Sequence, residues 1–249
     1  MKKIIEKDLI LISDYKITSA ETDMEGRLSL GSMVNLLIQS ATLSADSLGF
    51  GFDNLRKHNL FWVFSRLTLE LFQPVKWNDE VSIETWPKDI IGLLYTRDFL
   101  LRDEKKNIIA KATTAWLPID IETKRPKRKE SFESDFFTYL KDKHAVEEPP
   151  EKLPLLKDGD PFEVSSTYFD TDFNKHVTST RYIDWMMDSF STDFHRDNYP
   201  KGLSINYLKE TMPGEKIRFY RNMNKNKEYC FEGTNLNNNK KAFRGKIKF

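Results

Sequence analysis

Apolar residues recur at helical spacing from 28 to 48, through Leu30, Met33, Val34, Leu37, Ile38, Ala41 and Ala45. This predicts a long helix with one buried stripe, ended by Gly49 and Gly51 as glycines commonly end helices. On either side the period drops to two. A strand is expected over 10–19, and four more over 61–72, 80–86, 93–102 and 108–121, separated by polar punctuation at 76–79, 87–89 and 103–107. After a stretch of different character the plan returns in shorter form. It gives a strand over 162–168, a polar turn, a helix from Ser179 to about Phe194, and strands over 203–209, 216–223, 228–234 and 242–249.

The return is a copy. Thr22-Asp-Met-Glu-Gly-Arg-Leu28 superposes on Thr171-Asp-Phe-Asn-Lys-His-Val177, 149 positions downstream, so Asp23 matches Asp172, Glu25 matches Asn174 and Arg27 matches His176. The register continues into the helices, pairing Val34 with Ile183, Leu36 with Trp185, Leu37 with Met186 and Ser40 with Ser189. Further on, Trp77-Asn-Asp-Glu-Val81 resembles Pro213-Gly-Glu-Lys-Ile217 at an offset of 136, which fits a longer helix and loop in the first half. A polar turn repeated together with the apolar pattern behind it marks a duplication. A strand, one long helix and antiparallel strands curled round it bury the helix stripe in a sheet. The expected fold is therefore α+β, a tandem (double) hot-dog of two antiparallel sheets, each wrapped round a long helix. Residues 1–122 form the first unit, 161–249 the second, and 123–160 a linker with one short helix.

Composition narrows the function more than the fold. Net charge is +1, which gives no global electrostatic case for nucleic acid or a membrane surface. The N-terminus, Met1-Lys-Lys-Ile-Ile-Glu-Lys-Asp8, opens with charges, lacks a long apolar run, and is not expected to be a signal peptide. The single cysteine, Cys230, rules out an internal disulfide and fits the cytoplasm. Aromatics reach 13 %, including 18 Phe, enough to line a core or an apolar cavity.

The candidate chemistry sits in the second copy. Asp172, Asn174 and His176 place an acid, a carboxamide and an imidazole in five positions just ahead of a helix, beside its free N–H donors. An Asp/Asn turn before a helix is by itself ordinary capping. The first copy argues for more, because Asp23-Met-Glu-Gly-Arg27 keeps the turn without amide or imidazole. Were the geometry alone to require Asn and His, both copies would have them. One site, in the second half, follows. His58, His144 and His195 lie in polar, loop-like surroundings and are expected at the surface. No Cys/His cluster has metal-ligand spacing and no Gly-rich phosphate loop occurs, so no cofactor or metal is expected.

In order along the chain stand Leu60-Phe-Trp-Val-Phe-Ser-Arg-Leu67, Trp77-Asn-Asp-Glu-Val81, Tyr95-Thr-Arg-Asp-Phe99 and Ala110-Lys-Ala-Thr-Thr-Ala-Trp116. They are followed by Asp172-x-Asn174-x-His176 with Tyr182-Ile183, and by Tyr207-Leu-Lys-Glu210. With these segments nearly the whole chain resembles the acyl-acyl-carrier-protein thioesterases of the plant plastid and bacterial type. The resemblance implies a double hot-dog and hydrolysis of a fatty acyl thioester held on acyl carrier protein, in fatty acid biosynthesis. It also implies that the first half's apolar interior takes the acyl chain and that the second half is catalytic. It adds Glu210, which on its own is a solvated charge near a strand end. Plant members carry a cysteine just after that glutamate. Here Thr211 and Met212 follow, so a cysteine nucleophile is not expected, and Cys230 reads as a small buried hydrophobe.

The four residues are expected to divide the reaction as follows. Glu210 or His176 orients and deprotonates water. Asn174 positions the water or the thioester carbonyl, and Asp172 holds the imidazole or polarises Asn174. Backbone N–H groups from Val177 to Ser179 supply an oxyanion hole. The basic run Lys124-Arg-Pro-Lys-Arg-Lys129 is either a solvated linker or a landing patch for acidic acyl carrier protein. The alternatives are an acyl-coenzyme A thioesterase on the same fold and a non-catalytic acyl-binding protein. The expected state is a monomer or homodimer.

Overall fold

The computed structural model describes residues 9–128, 130, 137, 139–156 and 158–249. Each half opens with a short edge strand, β1 (Leu11–Lys16) or β6 (Asp160–Ser165), and a one-turn 3-10 helix, Ser19–Glu21 or Tyr168–Asp170. A helix follows, α1 (Leu30–Ser47) or α3 (Ser179–Asp188). The first half then adds the short helix α2 (Phe52–Lys57) and strands β2 (Leu60–Leu71), β3 (Glu80–Ile91), β4 (Leu94–Arg102) and β5 (Ile108–Asp120). The second adds α4 (Thr192–Asp197), β7 (Gly202–Tyr207), β8 (Lys216–Met223), β9 (Tyr229–Asn235) and β10 (Lys240–Lys248).

The helices form where the stripe predicts, but not to the same length. Ser29 caps α1, its hydroxyl accepting from the Ser32 amide over 3.1 Å, and Leu30, Met33, Val34, Leu37, Ala41 and Ala45 turn inward. The second helix, expected as one piece to about Phe194, breaks at 189–191. The Ser189 hydroxyl donates to the Met186 carbonyl at 2.6 Å, a local bond that competes with helix continuation. Ser191 then caps α4 by accepting from the Phe194 amide. The two helices meet at Gly31, where an added Cβ would lie 2.2 Å from Asp184 Oδ1.

The ten strands form one antiparallel run in the order β1-β3-β4-β5-β2-β7-β10-β9-β8-β6. Two five-stranded halves, each curled over its own helix, are thus joined edge to edge by β2 and β7. That pairing is centred on Thr68 opposite Ser204, two residues 136 positions apart, the offset of the repeated 77–81 and 213–217 segments. The copies therefore pair through equivalent positions, as an isologous interface does. Phe219, Phe231 and Phe243 are essentially buried under α3, each contributing about 1.5–3 kcal/mol of transfer free energy.

The linker is pinned to the outer face of the sheet. Leu153 N–H donates to Asn206 Oδ1 at 2.8 Å and Asn206 Nδ2 donates to the Glu151 carbonyl at 2.8 Å. Trp86 Nε1 donates to the Lys143 carbonyl at 2.9 Å. Buried Lys88 pairs with buried Asp98 at 3.5 Å, and Asp98 also accepts from the Ala145 amide at 2.7 Å. Among the described linker residues none is in an α-helix. The rest of the segment, with Lys129 and Phe136, lies outside the described set. No helix of the described residues is long and apolar enough to cross a membrane.

Candidate active site

The polar turn of the second half is built by Asp172. Its Oδ1 accepts from the amides of Asn174 (2.8 Å) and His176 (3.3 Å), its Oδ2 lies 3.5 Å from Asn174 Nδ2, and its own N–H donates to the His176 carbonyl at 2.9 Å. Lys175 completes the turn at φ 65°, a left-handed conformation that charges a non-glycine residue about 1 kcal/mol or more. The first copy is the same turn. Asp23 Oδ1 accepts from Glu25 and Arg27 at 2.9 Å each, and Gly26 takes the left-handed position at φ 70°. There the resemblance stops. Arg27 folds back on Asp23 at 2.9 Å and reaches across to the His195 carbonyl at 2.7 Å, so the first turn is a brace between the halves.

Asp172 therefore holds the backbone of the turn and the Asn174 amide; it makes no hydrogen bond to the His176 ring. His176 sits next to Val177, whose N–H donates to the Thr211 carbonyl at 2.9 Å. This sets His176 beside Glu210, with which it interacts electrostatically. Burial works to raise the Glu210 carboxyl, but the Lys209 ammonium at 3.2 Å and the His176 imidazole outweigh it and hold the group below the ordinary glutamate range. The Glu210 side chain is half exposed, at 52 %. The expected oxyanion donors are partly engaged elsewhere. Val177 N–H goes to the Thr211 carbonyl and Thr178 N–H to the Asp170 carbonyl at 2.8 Å, which leaves Ser179, the first residue of α3, as the expected donor not engaged among the described residues.

A cavity of about 320 Å³ lies in the first half between α1, α2 and strands β2 to β5. Ala41, Ala45, Phe50, Leu55, Trp62 and Trp116 give it an apolar wall. From the second half it reaches Phe173 and Asn174, and the Phe173 ring meets Phe52 edge-on at 5.9 Å. Of the four residues singled out from the sequence, Asn174 alone touches this wall; Asp172, His176 and Glu210 stand outside it. Leu36 and Leu37 are core residues away from the cavity.

Sequence reasoning missed several contributors. Phe173 lines the mouth from within the very motif. Arg97 lines the interior, and its signal was legible, since Tyr95, Arg97, Phe99 and Leu101 share one face of an alternating strand. His195, expected at the surface, is half-buried, its Nε2 3.0 Å from the Met187 carbonyl. Cys230 is half-buried too, and burial pushes its thiol above the ordinary cysteine value. Among the described residues no His/Cys/Asp/Glu group has the arrangement of a metal site. The basic run folds onto the end of β5: Lys127 pairs with Asp120 at 3.2 Å, and Lys124 Nζ stands 5.5 Å from the ring of Phe61, a cavity-lining residue.

Comparison with known proteins matches residues 9–132 to the Acyl-ACP thioesterase N-terminal domain and residues 157–249 to the Acyl-ACP thioesterase C-terminal domain. Oleoyl-acyl carrier protein thioesterase 2, chloroplastic, of Arabidopsis thaliana is 24% identical over 225 residues, 84% of this chain. The match spans 61% of that protein's own length. An acyl-ACP thioesterase from Bacteroides thetaiotaomicron superposes with a TM-score of 0.89 at 25% identity, over 98% of this chain and 99% of the other. The 12:0-ACP thioesterase from Umbellularia californica shares the fold, with a TM-score of 0.82 at 19% identity over 96% of each chain.

Proposed function

Since the chain belongs to the acyl-ACP thioesterase family, we propose that it hydrolyses fatty acyl thioesters of acyl carrier protein to free fatty acid and carrier protein. The observation that carries this reading is the position of Asn174. It belongs to the polar turn of one half and to the lip of the apolar cavity in the other. A thioester whose alkyl chain fills that cavity has its carbonyl at the turn.

The residues then divide the work. Asp172 shapes the turn and orients the Asn174 carboxamide. Asn174 positions the attacking water or the carbonyl. Glu210 and His176, brought side by side through the Val177–Thr211 bond, accept the proton of that water and return one to the departing thiolate. Glu210, held ionised by Lys209, has the charge state a base needs at neutral pH. The Ser179 N–H, at a helix N-terminus, suits the developing oxyanion. Lys124 of the basic run lies beside cavity-lining Phe61, where an acidic carrier would dock. Residues 161–249 supply the reactive turn and residues 1–122 the chain-binding sleeve. The lone Cys230 suits a reducing compartment such as the cytoplasm.

Incubation with a panel of acyl carrier proteins, read by mass spectrometry of released fatty acids, tests the proposal. Release from the carrier but weakly from coenzyme A thioesters is expected. Tight binding with no release identifies an acyl-binding protein instead.

A further inference from the structure

The cavity is not apolar throughout. In β4 the inward positions are Tyr95, Arg97, Phe99 and Leu101, so a guanidinium is directed into the half's interior. Arg97 is 5 % exposed and lines the cavity. Its Nη1 donates to Ser44 Oγ at 2.8 Å and Thr85 Oγ1 at 3.3 Å, both neutral hydroxyls. A guanidinium has five N–H donors. Those of Nε and Nη2 find no acceptor among the described residues, and no carboxylate among them lies within ion-pairing distance. Beside Arg97, the buried hydroxyl of Tyr95 also lacks a hydrogen-bond partner there. The Tyr95 ring itself belongs to a second apolar cluster, with Ala45, Phe50 and Phe137, which shares Trp116 with the main core.

A buried donor such as the Tyr95 hydroxyl is normally satisfied, and a plain alkyl chain drawn past it and the guanidinium offers no acceptor. Burial lowers the Arg97 guanidinium to about 9, still a cation at neutral pH, and raises the Tyr95 phenol to about 12, still protonated. Both remain donors throughout the working range. Asp89 lines the same cavity, and a neutral hydroxyl or oxo oxygen can accept from Arg97 and Tyr95 without adding a charge there.

We propose that this cavity selects acyl chains carrying a hydroxyl or oxo group at the depth of Arg97 over plain alkyl chains of equal length, with Arg97 and Tyr95 as the residues that recognise the oxygen. The proposal rests on the acyl-binding reading above. It makes a polar group inside the tunnel, besides its length, a determinant of specificity. A site built to hydrogen-bond a substrate oxygen discriminates strongly against the analogue without it, because its own donors are otherwise stranded.

The test is binding, so that it does not depend on turnover. Free fatty acids of one chain length, with a hydroxyl moved one carbon at a time toward the methyl end, are titrated into the full chain by calorimetry. One or two adjacent positions should bind about tenfold or more tightly than the unsubstituted acid. Arg97→Met should abolish that advantage and improve binding of the unsubstituted acid. Tyr95→Phe, which keeps the ring packing, should reduce the advantage, and serves where Arg97→Met does not fold. An unsubstituted acid that binds as tightly as every hydroxylated one overturns the proposal, and does so even if plain acyl carriers are hydrolysed. A hydroxyl preference without hydrolysis of any acyl carrier supports it and removes the catalytic reading instead.

Discussion

The Val177 amide donates to the Thr211 carbonyl oxygen over 2.9 Å, and the residues immediately before these two are His176 and Glu210. One backbone bond thus registers the polar turn ahead of α3 against the chain leaving β7. Neither side chain is fully buried, so their removal should act on chemistry and not on folding. His176→Ala and Glu210→Gln are each expected to lower kcat/KM by about 10² to 10⁴, with unchanged circular dichroism and thermal midpoint. Wild-type turnover in both variants removes them from proton transfer.

The charge on Lys209 should be visible in the pH profile. Burial alone would raise Glu210, and the Lys209 ammonium is the largest influence that lowers it. In Lys209→Met the carboxyl therefore rises, and the acid limb of kcat/KM moves to higher pH. A limb that stays in place assigns it to a group other than Glu210.

The paired aspartates should separate shape from chemistry. Asp172→Ala removes the acceptor for Asn174 and His176 amides and is expected to lower kcat by about tenfold or more. Asp23→Ala removes the same backbone acceptor and frees Arg27, and should cost about 1 kcal/mol in urea denaturation while leaving kcat near wild type. Equal losses of kcat in the two would mean that both turns serve catalysis.

Ala45 lies on the cavity wall, and Ala45→Phe fills space that an alkyl chain would use. Release from carrier substrates is expected to shift toward shorter chains, read as the chain-length distribution of freed fatty acids. An unchanged distribution would place the alkyl chain elsewhere.

In the second half, a Cβ on Gly233 would lie 2.2 Å from the Phe243 ring. Gly233→Ala should cost about 1–3 kcal/mol through overpacking, and Phe243→Ala about 3–5 kcal/mol through the cavity it leaves. The double variant should cost less than the two together, because the new methyl enters the vacated space. Chemical denaturation of all three measures this, and simple additivity would show that the contact does not carry the Gly233 effect.

Much of the frame was readable from local pattern. The α1 stripe, the alternation of β2 to β5 and the repeated Asp-centred turn are signals confined to a few neighbouring residues. The copies' capping and left-handed positions fall in register, with Gly26 matching Lys175. The unequal fates of those turns were legible as well, in Glu25 and Arg27 against Asn174 and His176. The break at 189–191 was less so, because the apolar spacing of α3 runs on toward Phe194 while side-chain hydroxyls at Ser189 and Ser191 claim the backbone.

By itself the sequence determined two helix-and-strand units, one of them bearing the polar set at 172–176, since periodicity, capping and turn preferences act over single turns of chain. Only the tertiary structure decided that β2 and β7 pair about Thr68 and Ser204, joining the halves in one sheet. It also decided that the cavity of the first half reaches Asn174 of the second, and that Arg97 lines it with Nη1 bonded to the hydroxyls of Ser44 and Thr85. Those outcomes depend on which edges, helices and buried donors meet across more than a hundred residues, and that contest is settled by burial and register.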